Sequence, residues 1–135
     1  MKRILIVDDE PHVIRVMRLS LERAGYQVFE AGNGEIALQR IAESMPDVMI
    51  TDIDMPRMTG EQLCREIQRS MPERSFRIYV LTARAELEHR TWSAELPNLD
   101  FMEKPVSIRK LLARLEAYFQ GVAENNEQER SLSAT

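Results

Sequence analysis

Two rhythms alternate along the chain. Four short, mainly apolar runs, Ile4-Leu5-Ile6-Val7, Val48-Met49-Ile50-Thr51, Ile78-Tyr79-Val80-Leu81 and Phe101-Met102-Glu103, read as strands. Between them, apolar residues recur every three or four positions, as on one face of a helix. A first helix opens at Glu10-Pro11, carries Ile14, Met17 and Leu21 on one side and Arg15, Arg18 and Glu22 on another, and stops at Gly25. Gln27 to Ala31 reads as a short strand. Asn33-Gly34 then leads into a second helix with Ile36, Ala37, Leu38 and Ile41, ended by Met45-Pro46, and Asp47 starts the next strand.

The second half repeats the scheme. Thr59 with Gln62 three residues later is a capping-box signature for a helix bearing Leu63 and Ile67, closed by Pro72. Residues 77–82 read as the fourth strand, 85–94 as a more polar helix, and 99–103 as the fifth strand. Ser107 caps a last helix with Ile108, Leu111, Leu112, Leu115 and Phe119 facing inward. From Gly121 the apolar period fades, so residues 121–135 read as a polar C-terminal tail, partly helical near its start. Strands alternating with helices predict an α/β fold whose parallel sheet is covered on both faces.

Each strand-like run stops at a polar residue with a distinct chemical use: Asp8-Asp9, Asp52, Thr82 and Lys104-Pro105. In an open parallel sheet these ends share one edge, where such folds place their ligands. Three carboxylates so gathered repel one another, since unit charges about 4 Å apart cost roughly 4 kcal/mol at an effective dielectric of 20. A hard divalent cation such as Mg²⁺ relieves that, and Lys104 adds a second counter-charge.

Bulk properties narrow the partners. At 135 residues, 44% hydrophobic and 30% charged, the chain suits one globular domain, and no apolar run approaches the roughly 20 residues that span a bilayer. A cytoplasmic location with no membrane partner is expected. The net charge of -4 argues against direct binding to nucleic acid. Cys64, the single cysteine, sits at helical spacing with Leu63 and Ile67 and reads as a small buried hydrophobe.

The motifs Ile4-Leu5-Ile6-Val7-Asp8-Asp9-Glu10, Asp47-Val48-Met49-Ile50-Thr51-Asp52-Ile53-Asp54-Met55-Pro56-Arg57-Met58-Thr59-Gly60, Leu81-Thr82-Ala83 and Glu103-Lys104-Pro105 resemble the receiver domain of bacterial two-component response regulators. The resemblance covers residues 1 to about 120 and implies a flavodoxin-like, doubly wound, five-stranded parallel sheet with five helices. It also implies a stand-alone phosphorylation-dependent switch, not an enzyme acting on other substrates. Asp52 would be the phosphoacceptor, charged by a histidine kinase, a phosphotransfer protein or a small phosphodonor. Mg²⁺ would be held by Asp8, Asp9 and Asp52, with Asp54 giving its backbone carbonyl. Thr82, Ala83 and Lys104 would stabilise the phosphoryl group, Thr82 and Phe101 would form the switch, and Pro105 would follow a cis peptide bond. A downstream protein would read the face built from the fourth helix, fifth strand and fifth helix.

Some positions depart from that pattern. Pro97 stands where the family usually has a glycine, so the 96–98 turn must be built differently. Asp54 and Arg84 flank the expected phosphoryl site with opposite charges and are expected to pair and shield it from water. Trp92 is expected to pack over its own core, and His12 and His89 to lie at the surface. Two rival functions share parts of the signature. A haloacid-dehalogenase-like phosphohydrolase also uses an Asp-x-Asp pair, as Asp52 and Asp54 would supply, but expects it after the first strand and in a longer chain. A constitutive pseudo-receiver would serve as an interaction module with no use for a complete set of acids, hydroxyl and lysine.

Overall fold

The structure, a computed structural model, describes residues 1–83 and 90–133. It divides into two units, Met1–Pro105 and Val106–Thr135. The first holds a single parallel sheet of β1 (Arg3–Val7), β2 (Gln27–Ala31), β3 (Val48–Asp52), β4 (Arg77–Thr82) and β5 (Leu99–Glu103) in the order β2-β1-β3-β4-β5. That order is the one of a flavodoxin-like doubly wound fold, the fold class that the family resemblance implies. Three strands are buried along almost their whole length, which is why they read as continuous apolar runs and not as alternating ones.

Helix α1 (Pro11–Arg23) starts with proline at its first turn and buries Ile14, Met17 and Leu21. It ends before Gly25, whose φ of +97° is a left-handed turn that favours glycine. Helix α2 (Gly34–Glu43) is capped by Asn33, whose side chain accepts from the Ile36 N–H at 2.9 Å. Helix α3 (Gly60–Ser70) carries both bonds of the capping box: Gln62 N–H to Thr59 Oγ1 at 3.2 Å and Thr59 N–H to Gln62 Oε1 at 2.9 Å. One core packs Leu5, Val7, Met49, Ile78 and Val80 of the sheet with Ala37, Ile41, Leu63 and Ile67 of α2 and α3. Cys64 lies in this cluster, fully buried. The residues alternating with those, Ile4, Ile6, Val48 and Ile50, are equally buried on the other face.

Helix α4 is Arg90–Ser93; residues 84–89, which include Arg84, His89 and the first half of the expected 85–94 helix, lie outside the described residues. Trp92 is buried within the core cluster, as expected. Met45, next to the Pro46 that ends the second helical pattern, is exposed. The turn before β5 is built without glycine: Asn98, next to Pro97, takes the positive φ of 54°. Its Oδ1 accepts from Arg77 at 3.1 Å and its Nδ2 donates to the Ser75 carbonyl at 3.2 Å. Arg74 donates to the carbonyls of Phe76 and Pro97, so two loops at the amino end of the sheet are tied together.

The second unit is α5 (Ile108–Ser133). Ser107 Oγ accepts from the Lys110 N–H at 3.3 Å, and Leu111 and Leu115 are buried, with Ile108, Leu112 and Phe119 half-buried. Where the sequence pattern implies a polar tail from Gly121, the helix continues to Ser133. A single glycine costs a helix only about 1 kcal/mol, and Gln120, Ala123, Glu124, Gln128 and Glu129 are all favourable helix formers. A Gln120–Glu124 hydrogen bond spans the glycine at 3.4 Å.

Candidate functional site

Strand order reverses at the β1/β3 boundary, and open α/β sheets form their ligand crevice outside the carboxyl ends of the strands at such a point. β1 delivers Asp8 and Asp9 there, and β3 delivers Asp52. One carboxylate oxygen from each of the three lies within 4.8 Å of the others. Asp8 and Asp52 are almost wholly buried, whereas Asp9 is exposed.

Burial is the largest influence raising the Asp8 carboxyl above its ordinary value. The charges of Asp52 and Asp9 add to it, while the Glu10 N–H donated to Asp8 Oδ1 at 2.9 Å and the nearby Lys104 oppose it. Desolvated acids crowded together are held ionised most readily by a cation. An all-oxygen donor set of carboxylates and water suits a small hard divalent ion, so Asp8, Asp9 and Asp52 could hold one.

β4 ends at Thr82 and β5 at Glu103, which pair in register, and the next residue is Lys104. The Lys104 N–H donates to the Thr82 carbonyl at 2.8 Å, fixing the lysine beside β4, and its ammonium pairs with Asp52 Oδ1. That oxygen is buried, and the ammonium is its partner among the described residues. Burial alone would lower the Lys104 ammonium, but the pairing with Asp52 and the fields of Asp8 and Asp54 outweigh it and raise the group. Thr82 is buried and lies one residue beyond Leu81, the register partner of Asp52. The Lys104–Pro105 peptide bond is cis, as expected.

The sequence-derived set therefore converges for Asp8, Asp9, Asp52, Thr82 and Lys104. The Asp54 carboxylate is exposed and is not a member of the acid cluster; only its backbone was expected to serve. Ala83 is exposed next to Thr82. The expected Asp54–Arg84 pair falls outside the described residues. Phe101 is half-buried, packs against the core cluster, and meets Trp92 edge-on.

Two supports of the site were not read from the sequence. A Cβ on Gly60 would stand 2.5 Å from the Asp52 carbonyl oxygen and 2.8 Å from Ile53 Cα, so only glycine lets α3 begin this close to the acid. Its N–H donates to the Ile53 carbonyl at 2.8 Å, closing the 53–60 loop. Met58 lies against Gly34, and Arg57 reaches Glu35 at 3.9 Å, so the same loop is strapped to the start of α2. The sequence shows only that a glycine follows the Thr59 cap, which does not reveal the backbone it meets.

The model of the response regulator receiver domain matches residues 4–116. The Bacillus subtilis alkaline phosphatase synthesis transcriptional regulatory protein PhoP is 35% identical over 116 residues, covering 86% of this chain and 48% of that protein. The response regulator MprA of Mycobacterium ulcerans is 35% identical over 134 residues, 98% of this chain and 57% of that one. The chain thus spans about half the length of these relatives. Among solved structures, a CheY-like receiver domain protein of Methanospirillum hungatei superposes with a TM-score of 0.82 at 27% identity, covering 93% of this chain and 98% of that one. The Thermotoga maritima response regulator TrrA in complex with Mg²⁺-BeF superposes at 0.75 with 30% identity, covering 87% and 98%. The phosphohydrolase and the constitutive module gain no support: Asp52 ends the third strand, and the acids, hydroxyl and ammonium are complete and convergent. No described helix is long and apolar enough to cross a membrane. The chain belongs to the response regulator receiver domain family, a signalling module.

Proposed function

We propose that the chain is a phosphorylation-dependent switch in which Asp52 accepts a phosphoryl group from a histidine kinase or phosphotransfer protein. The observation that carries this reading is the Lys104 ammonium held on a buried Asp52 oxygen beside two further carboxylates. An Asp52 oxygen attacks the phosphorus of a phosphohistidine, the P–N bond breaks, and imidazole leaves. Phosphoryl transfer asks little covalent chemistry of a protein beyond positioning and charge neutralisation. Asp8, Asp9, Asp52 and the Asp54 carbonyl would hold Mg²⁺, which would supply charge neutralisation at the phosphoryl oxygens. Lys104 binds a second phosphoryl oxygen, and the Thr82 hydroxyl and Ala83 N–H bind a third.

Thr82 and Phe101 convert that chemistry into a change of shape. Val80 pairs with Phe101 and Thr82 with Glu103, so Phe101 projects on the same face as Thr82, two residues back on the adjacent strand. A hydroxyl drawn toward the phosphoryl group vacates space toward that ring. Phosphorylation then shifts a pre-existing equilibrium by as much as the phosphoryl group prefers one state, and a downstream protein reads the result. Acetyl phosphate with Mg²⁺ tests the assignment. The intact chain should gain the mass of one phosphoryl group, and Asp52→Asn should gain none; an unaltered mass for the wild-type chain overturns it.

A further inference from the structure

Trp92 and Phe101 meet with ring centroids 5.5 Å apart and planes at 86°, the edge-to-face geometry that aromatic pairs favour. Trp92 is only 7% exposed and belongs to the same cluster as Val80, the register partner of Phe101. Phe101 itself is half-buried, whereas the indole is enclosed. Thr82 projects on the same face of the sheet as the ring, two residues along the neighbouring strand from Val80. Phe101 thus stands on the sheet face that carries Thr82 and touches Trp92 of α4.

Resting on the phosphoryl-switch reading of Asp52, we propose that Trp92 is the positioning residue of that switch, holding the Phe101 ring where it lies when Lys104 pairs with the free Asp52 carboxylate. A ring that swings toward the space Thr82 leaves must withdraw its edge from the indole. The contact therefore favours the arrangement with the Asp52–Lys104 pair and sets part of the gap that phosphorylation has to overcome. Because the chain has a single tryptophan, the same contact is a built-in reporter of the ring's position.

Beryllofluoride with Mg²⁺ serves as the probe, with melting temperature reporting binding and Trp92 emission reporting the contact. Binding should shift the emission of the wild-type chain and leave Asp52→Asn unchanged. Trp92→Leu should tighten beryllofluoride binding about two- to tenfold, the worth of one edge-on aromatic pair. Trp92→Phe, which keeps a ring edge and is the milder change to the core, should fall between. A rise in melting temperature with no change in wild-type emission overturns the inference and leaves the phosphoryl switch standing, as does a Trp92→Leu chain that binds as the wild type does. No rise in melting temperature overturns both.

Discussion

The Gly60 Cα lies so close to the Asp52 carbonyl that any Cβ there would stand 2.5 Å from its oxygen. The obstacle is backbone, not a flexible side-chain end, so it cannot be relieved by a rotamer change. α3 or the 53–60 loop must move instead, and the Gly60 N–H bond to the Ile53 carbonyl stretches with it. Gly60→Ala should therefore cost about 1–3 kcal/mol in urea unfolding and weaken Mg²⁺ binding, since the Asp54 carbonyl sits on the displaced loop. Wild-type stability together with wild-type Mg²⁺ response would remove this support from the site.

Asp8 sets a pH dependence whose sign follows from its elevated carboxyl. The folded chain holds that proton more tightly than the unfolded chain does, so the group's contribution to stability is present below its ordinary value of 3.8 and is lost as pH rises through the elevated value. At neutral pH the acid cluster is a net cost, which a bound cation relieves. Saturating Mg²⁺, at 100 times its dissociation constant, should raise stability by about 2.7 kcal/mol at pH 7 and by much less near pH 4, where protonated carboxyls compete with the metal. Asp8→Asn keeps an oxygen for the Glu10 N–H and removes a buried charge; it should be more stable than the wild type without metal and lose most of the Mg²⁺ response. Thermal unfolding at both pH values measures each of these.

The sequence was informative where structure is local. Strands buried on both faces leave short apolar runs, and the polar residues that stop them mark the edge of the sheet, so β2, β4 and β5 could be bounded to the residue and the acids, Thr82 and Lys104 assigned to one place. The Thr59–Gln62 capping box is likewise contained within four residues. What escaped notice depends on approach between distant segments: Gly60 against Asp52, Met58 against Gly34, and the edge of Trp92 on Phe101. A glycine looks alike whether it meets another backbone or open solvent, and a tryptophan at helical spacing does not reveal which ring it meets. The full extent of α5, beyond the partly helical start expected after Gly121, is not legible for another reason, because that stretch lacks the apolar period by which helices are recognised while keeping the residues that favour them.

Asn98 carries the left-handed conformation that a glycine would take without strain, and its side chain compensates. Asn98→Ala removes the bonds to Arg77 and Ser75 and leaves a Cβ in a region costly for alanine, so it should lose about 2–3 kcal/mol. Asn98→Gly loses the same two bonds but none of the backbone ease, and about 1 kcal/mol is expected. Urea midpoints in the order wild type, glycine, alanine support this account. An alanine variant as stable as the glycine one would show that the side chain's bonds, not the φ angle, are all that matters.

Cys64 supplies the last prediction. Burial among Leu63, Ile67 and their neighbours pushes its thiol from 9.0 up to about 12, so the folded chain keeps the proton that the unfolded chain releases. The folded state then binds more protons between those two values, and its stability must fall as pH rises through that window, at up to about 1.4 kcal/mol per pH unit. Lysines and tyrosines titrate in the same range, so the useful quantity is a difference. Cys64→Ala carries a packing cost that does not vary with pH, and its stability should converge on that of the wild type between pH 8 and pH 10.5. Parallel curves would mean the thiol ionises as easily in the folded chain as in the unfolded one. In native protein the same burial should keep Cys64 unreactive toward thiol reagents at pH 8, with labelling appearing only on unfolding.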